Sequence, residues 1–460
     1  MKKTSLFNDK RMLLHALWLC SLLVTCHHLA ADCESAAQLL ELGNQACTQN
    51  NFEQALCHLQ KARLLEPTHP DVLFKLGYVH LYLGHIHESL EAYLSLIRTN
   101  PAYRSTALHN IGYILKVTGR MNEAVEVFKK VIAAHPDYES AHLGLSFALI
   151  TKGRFGEGFQ SHEWNLIRQG KNAPELRALL ATGNLAGKTI VLLPEGGLGD
   201  TINFFPCAKI LKERGACIIG LVQRPLYEIL KNCDYYDLIL PTGAAVPANY
   251  DARVTYMSLP SILGYSESFL PRQIPYITPN KELVEKWGAY LKNQSCGFKV
   301  GICWQADVYN DSSRLPMARR GMPLELLAQL SKLPNVSLFS LQKKDGASDV
   351  LTLSSDFKIH VFDDSFDEAN GPFVDTAAVM ANLDLIIAID SAVAHLAGAM
   401  GKEVWLLLPY SADWRWLAEQ STSPWYPTMK IFKQPKPFDW ESVASKVCFE
   451  LGISSQVIKY

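Results

Sequence analysis

The chain has 460 residues, of which 48% are apolar, and its formal net charge is −1. This length is sufficient for about three domains of ~150 residues, and the apolar content can supply a large core. The balanced charge argues against bulk electrostatic binding of nucleic acid, so no nucleic-acid partner is predicted.

The 11 cysteines include no C-x-x-C pair, which argues against zinc and thioredoxin chemistry. Those within apolar or helical patterns are Cys47, Cys57, Cys207, Cys217, Cys303 and Cys448. We therefore predict buried, reduced thiols, which favour a reducing compartment such as the cytoplasm.

The N-terminal segment, residues 1–34, points to a different location. Basic residues precede an apolar run at 12–26, and two alanines follow it. This pattern is typical of a signal peptide or a short anchor, so membrane association through 12–31 is one expectation. The alternative is a loosely packed N-terminal helix, because His15 interrupts the run. The location is therefore left open.

A repeat follows at 35–170. An apolar residue and a glycine recur with periods of 34 and then 35 residues, and prolines recur with the same periods: Gly43, Gly77 and Gly112, with Pro67, Pro101 and Pro136. These periods and small residues are typical of tetratricopeptide repeats, in which two antiparallel helices approach closely. We predict an N-terminal α-solenoid with a concave groove for a protein partner. A rigid spacer or an oligomerisation arm is the alternative.

A fourth unit begins at Glu139 and departs from the repeat pattern. Ser146 replaces the glycine, and the unit ends in Gly153–Phe159 and His162–Trp164. Terminal repeats commonly depart from consensus because one of their faces must contact another element. We therefore expect this unit to dock onto the rest of the chain.

From 189 onwards, the pattern changes to alternating strands and helices. The strand 190–193 is followed by Gly196, Gly197 and Gly199, and then by a predicted helix at 201–212. A helix start without bulky side chains can bind an anion. The spacing lacks both the full dinucleotide fingerprint and the Lys-Ser/Thr of a P-loop.

The remaining elements predict two parallel sheets with helices on both faces. The first domain is assigned to 185–280, after a linker at 171–188, with further strands at 217–222, 238–240 and 253–257 and a helix at 225–232. The second is assigned to 297–440, with strands at 298–304, 336–341, 358–362, 385–389 and 404–408 and helices at 324–333, 375–383 and 392–400. A helix at 281–291 lies between them, and 441–460 is a C-terminal helix and tail. Two Rossmann-like domains in series predict a GT-B layout, with ligand between their carboxyl edges.

Seven motifs resemble those of bacterial tetratricopeptide-repeat glycosyltransferases, related to the O-GlcNAc transferase and heptosyltransferase superfamily. They are 153–164, 195–200, 300–305, 340–342, 390–398, 413–416 and 423–427. One residue differs, because Gly196 stands where that family favours glutamine. Any side-chain contact from that position is therefore missing here.

This resemblance implies a glycosyltransferase of hexosyl or heptosyl type. It would move a sugar from a nucleotide-diphosphate donor to a protein or glycan hydroxyl, without a metal or any cofactor besides the nucleotide sugar. The repeats would recruit the acceptor or a partner. The alternative is a non-catalytic scaffold with a degenerate transferase domain, and a third possibility is glycan assembly on lipid.

Two carboxylates are candidates for the catalytic base. The resemblance to heptosyltransferases implies Asp200, which a helix start would keep ionised. Glu195 is the second candidate. The structural alternative for Asp200 is a cap for the helix that follows.

Asp390 and Ser391 precede a helix and are the main candidates for binding the donor phosphates. His395, one turn into that helix, could add a hydrogen bond. Capping, and a satisfied core histidine, are the structural alternatives. Further donor-binding candidates are Trp304, Gln305, Arg320 and Arg415. Trp304 could instead belong to the core, and Arg320 to a surface charge run.

Overall fold

The computed structural model describes residues 34–168, 173–264, 274–295, 297–307, 315–417 and 420–457. The described residues divide into two compact units, one up to Ala107 and one from Leu108 onwards. This division falls within the predicted repeat region, so that region contributes to both units. The signal-like segment, apart from Glu34, lies outside the described residues. Within the described ranges, no helix has both the length and the apolar character that crossing a membrane requires.

The first unit contains two helix pairs, as the repeat predicts. They are α1 (Ala36–Thr48), α2 (Phe52–Leu65), α3 (Pro70–Tyr82) and α4 (Ile86–Thr99). A Cβ at Gly43 would lie 2.9 Å from Leu59, and one at Gly77 would lie 2.6 Å from Tyr93. The two glycines therefore permit the close helix approach that their spacing predicts.

The second unit begins within the next repeat helix. The remaining repeat helices are α5 (Arg104–Val117), α6 (Met121–Ala134), α7 (Glu139–Thr151) and α8 (Phe155–Arg168). The unit predicted to be degenerate is a regular helix pair. Its Ser146 hydroxyl donates a 2.7 Å hydrogen bond to the Gly158 carbonyl of the partner helix. The predicted linker contains a helix, α9 (Pro174–Ala181), which the sequence pattern did not indicate.

The first sheet is entirely parallel and has the order β3-β2-β1-β4. Its strands are β1 (Thr189–Leu193), β2 (Cys217–Val222), β3 (Leu238–Pro241) and β4 (Ala252–Thr255). In the central strand, Ile190 pairs with Ile218 on one side and Ala252 on the other. Strand order reverses beside β1, so the crevice at its carboxyl end is where ligands bind in such sheets.

The predicted helix at 201–212 is wrong in extent. It consists of α10 (Leu198–Phe204), a 3₁₀ turn at Phe205–Cys207 and α11 (Ala208–Glu213). Pro206 has no amide hydrogen and its ring clashes with the preceding turn, which interrupts the α-helix. The earlier start at Leu198 places Gly199 and Asp200 in the first helical turn, and not in the loop. Two short helices complete this domain, α12 (Arg224–Leu230) and α13 (Leu259–Ile262).

The second sheet is also parallel, with the order β10-β9-β8-β5-β6-β7. Its strands are β5 (Phe298–Cys303), β6 (Val336–Ser340), β7 (Ile359–His360), β8 (Leu385–Ile389), β9 (Val404–Leu408) and β10 (Met429–Lys433). β10 was not predicted. Strands β5 and β8 are neighbours, with Ile302 opposite Ile387, and strand order reverses between them. A second crevice therefore lies at their carboxyl ends.

The helices around this sheet are α14 (Lys281–Gln294), α15 (Leu324–Ala328), α16 (Val374–Ala381), α17 (Ala392–Ala399) and α18 (Trp440–Val457). The helix predicted at 324–333 is shorter, because a 3₁₀ turn at Gln329–Lys332 follows α15. All residues of β8 and β9 are buried, as expected for strands covered on both faces.

Candidate active site

The starts of α10 and α17 bring the two sheets together. The two helices pack against each other, and a Cβ at Gly199 would lie only 2.6 Å from the His395 ring. Since each helix begins at the carboxyl end of a central strand, the two crevices adjoin at this contact. Asp200 directly follows Gly199, and Ser391 lies one helical turn before His395. These are the two residues predicted to share one cleft.

Both carboxylate oxygens of Asp200 are engaged. Oδ2 accepts a 2.6 Å hydrogen bond from the Gly197 amide, and Oδ1 is paired with the Arg415 guanidinium. The first contact is a cap at the start of α10, which is the structural alternative to catalysis. The second contact joins the first sheet domain to the second.

Arg415 is buried and lies between carboxylates. Its Nη1 donates to Asp413 at 2.8 Å, and its guanidinium carbon lies 4.1 Å from the Trp414 ring centroid. Burial alone would lower the pKa of Arg415, but Asp200 and Asp413 more than offset it, so the pKa is raised above its usual value. The guanidinium therefore stays charged.

His395 is 4% exposed, and its Nδ1 lies 2.9 Å from the Tyr426 hydroxyl. Burial, with a contribution from Arg415, lowers the pKa of this imidazole to about 3. Its Nε2 is 3.9 Å from Asp390 Oδ1, which is too long for a hydrogen bond. A neutral, buried ring with a hydroxyl partner matches the alternative of a satisfied core histidine, and direct contact with donor phosphates stays a prediction.

The turn at Asp390 and Ser391 leads into α17. The Ser391 hydroxyl donates to the Ile389 carbonyl at 3.1 Å and makes no cap to the helix amides. Arg320 donates to the Asp390 carbonyl at 3.0 Å, so its guanidinium lies beside the start of the helix. Positive charge next to helix N-terminal amides is a suitable environment for phosphate.

Trp304 and Gln305 follow β5 at the same edge. Trp304 is fully buried, and its indole donates to Asp349 at 3.0 Å, so it belongs to the core. In this conformation the buried indole ring of Trp304 cannot contact a nucleobase. Gln305 is half-buried, with its side-chain amide donating to the Ala306 carbonyl at 3.2 Å.

Gln342 is a site residue for which no role was predicted. Its Oε1 accepts hydrogen bonds of 3.0 Å from the amides of both Trp304 and Gln305, and its Nε2 donates to the carbonyls of Gln305 and Asp345 at 2.9 and 2.7 Å. One side chain therefore holds the loop after β5. A polar residue soon after a buried strand was the available signal.

The last repeat pair contacts both sheet domains, as the departure from consensus predicts. Phe147 of α7 stacks on Trp414, with centroids 5.8 Å apart and planes inclined by 4°. Glu163 of α8 accepts a hydrogen bond from Ser261 and is ion-paired with Arg177. His162 of the same helix lies close enough to Glu195 for the carboxylate to raise the pKa of its imidazole, and this proximity was not predicted.

Two further observations bear on ligand chemistry. Across the described part of the chain, no group of three or more His, Cys, Asp or Glu residues could hold a metal ion. A cavity of about 540 Å³ lies elsewhere, between α12, α16 and residues 275–280. None of the predicted site residues lines it, so the candidate site is defined by its contacts and not by this cavity.

Comparisons with known proteins cover parts of the chain. A tetratricopeptide-repeat model matches residues 105–138. The protein FlbA of Caulobacter vibrioides is 26% identical over 325 residues, which are 66% of this chain and 53% of FlbA. The chain thus spans about half the length of that relative.

Two solved structures resemble parts of this chain. A MamA protein is 23% identical, with a TM-score of 0.29 over 31% of this chain and 78% of its own. A family 9 glycosyltransferase from Veillonella parvula is 13% identical, with a TM-score of 0.43 over 60% and 98%. Likenesses this distant carry no argument about substrate. The architecture is a tetratricopeptide-type helical region followed by parallel-sheet α/β domains, as the sequence predicts.

Proposed function

We propose that the protein is a glycosyltransferase that moves a sugar from a nucleoside-diphosphate donor to a protein or glycan hydroxyl. The observation that carries the proposal is the junction of two carboxyl-edge crevices, where Asp200 meets Arg415 and Gly199 meets His395. A donor can be held between two such crevices while an acceptor enters from the opposite side.

The start of α17 is the proposed phosphate site. Arg320 and the first helix amides would neutralise the charge that develops on the leaving diphosphate. Arg415 stays charged in its buried position and is a second cation near the junction. In this proposal these groups, without a metal, perform the electrostatic work.

The catalytic base is Asp200 or Glu195 in this proposal. Asp200 would act only if Arg415 turned towards the donor phosphates, because the guanidinium engages Oδ1 in the structure. Glu195 needs no such exchange, since its Oε2 has no hydrogen-bond partner among the described residues. This unpartnered oxygen supports Glu195 as the base, and Asp200 stays the candidate that the resemblance implies.

The repeats indicate protein–protein interaction, and we propose that they recruit the acceptor or a partner. Export or anchoring through 12–31, and the cytoplasmic alternative, stay predictions because those residues lie outside the described ranges.

The test is a panel of uridine-, guanosine-, adenosine- and thymidine-diphosphate sugars. The full chain should show a rise in Tm with one donor and slow release of its nucleoside diphosphate. D200N should retain the thermal shift, and D234N, at an exposed aspartate of the same domain, should behave as the wild type. A chain that neither binds nor hydrolyses any donor would contradict the proposal.

A non-catalytic scaffold is the second candidate. The engagement of both Asp200 oxygens and the burial of neutral His395 favour it, because neither group is free for chemistry as it stands. This candidate predicts no turnover with any donor, and no change in donor binding or turnover for D200N.

A further inference from the structure

Several buried polar atoms near the junction have no hydrogen-bond partner among the described residues, and three of them belong to side chains that interact electrostatically. They are His162 Nδ1, Glu195 Oε2 and Arg415 Nε. Each is closed to solvent, and they come from α8, from the loop after β1 and from the turn at Trp414–Trp416. Buried polar atoms almost always have partners, so a cluster without them indicates a place for a small polar group.

The three side chains share one region. Phe147 links two of them, because its ring lies 6.4 Å from the His162 ring and stacks on Trp414, the residue before Arg415. Burial lowers the pKa of His162, Glu195 raises it and Arg415 lowers it further, so both charges reach the imidazole. The imidazole is therefore neutral at pH 7 and able to accept a proton.

We infer that His162, supplied by the last repeat helix, accepts the proton of the acceptor hydroxyl, with Glu195 beside it. This inference rests on the proposed function, and it transfers the role of base from Glu195 and Asp200 to a residue outside both sheet domains. Asp200 instead caps α10 and holds Arg415, since each of its oxygens is already engaged.

The transfer step forms one bond at the anomeric carbon and breaks another. The acceptor oxygen forms a bond to the anomeric carbon while its proton passes to Nδ1 of His162. The bond from the anomeric carbon to the diphosphate oxygen breaks, and its electron pair leaves with the nucleoside diphosphate. The Glu195 carboxylate stabilises the resulting imidazolium, which then returns the proton to solvent.

The repeat region would then form part of the active site as well as a docking surface. The contacts of Glu163 with Ser261 and Arg177 support this role, because they fix α8 to the first sheet domain one residue from His162. A base held by a packed helix keeps its position relative to the substrate.

The experiment uses the full chain with the donor that the panel identifies and with water as acceptor. Release of nucleoside diphosphate is measured across the pH range in which histidine titrates. H162Q should lower kcat/KM by about 10²–10⁴-fold and remove the acidic limb of its pH profile. The Kd for the nucleoside diphosphate should not change. H135Q, at an exposed histidine of the same region, should match the wild type.

E195Q provides a second, independent variant, because the Glu195 oxygen that is buried has no partner to lose. Loss of its charge should move the acidic limb to lower pH, since Glu195 raises the pKa of His162. An unmoved limb in E195Q, or a folded H162Q with the wild-type profile, would overturn the inference while leaving the transferase proposal intact. A wild type inactive with every donor would overturn the proposed function first.

Discussion

The starts of α10 and α17 have the same local arrangement, but an aspartate caps the first and an arginine lies beside the second. Each follows a central parallel strand, but the amide of Gly197 before α10 is occupied by the Asp200 carboxylate, whereas Ser391 does not cap α17. Arg320 lies beside α17, so that helix start offers positive charge to an anion. The Gly197 amide at the first helix start already has a partner within the chain, and the second helix start is suited to an anionic ligand.

This difference indicates that the two domains have different roles at the junction. The first domain contributes Asp200 to the junction, and the second contributes arginines and helix amides together with the carboxylates of Asp390 and Asp413. Arg415 belongs to the second domain but is held by Asp200 of the first, so it couples the two. Three predictions test that coupling, from the largest expected effect to the smallest.

Removal of Arg415 should have the largest effect on stability. R415M would leave the largely buried Asp200 carboxylate without its cation, so we expect a loss of about 3–5 kcal/mol in the free energy of unfolding. Urea denaturation measures this loss.

The control is K231M, which breaks the Lys231–Glu228 ion pair, whose side chains are 38% and 39% exposed. Exposed pairs contribute about 0–1 kcal/mol, so this variant should resemble the wild type. Equal effects of the two substitutions would mean that Arg415 does not hold the domains together.

Addition of a methyl group at Gly199 should have an intermediate effect on stability. The Cβ in G199A would lie 2.6 Å from the His395 ring, so α10 and α17 must move apart at a cost of about 1–3 kcal/mol. Thermal unfolding measures the cost. G197A is the matched control, because its nearest neighbour would be Asp200 at an ordinary 3.6 Å. Similar Tm values for both variants would show that the contact is looser than the structure has it.

His395 should make stability depend on pH. Its pKa is about 3 in the folded chain and near 6.5 when unfolded, so between these values the unfolded chain binds more protons. The contribution of neutral His395 to the free energy of unfolding is complete above pH 6.5. It is lost as the pH falls towards 3, by at most about 1.4 kcal/mol per pH unit.

H395Q should therefore flatten the dependence of unfolding free energy on pH, measured by urea denaturation from neutral to mildly acidic pH. H142Q is the control, because His142 lies on α7, outside the junction of the two sheets. A wild-type slope in H395Q would show that another group titrates with unfolding.

The sequence alone determined most of the helices and strands, because these follow from local periodicity and from small residues at close contacts, but it did not reveal α9 or β10. Gly43 and Gly77 marked the first two helix pairs, and the glycines after 193 marked the loop at the first crevice. Proline at 206 carried enough information to predict the break in the helix, but apolar periodicity on both sides of it obscured the signal.

Only the tertiary structure decided which side chains meet. Asp200 and Arg415 are 215 residues apart, and no local pattern specifies that pairing. The same holds for His162, whose position depends on how α8 packs against α13, and for Trp304, whose indole donates to Asp349, 45 residues away. Burial and pairing are properties of long-range packing, so the roles of these residues required the fold.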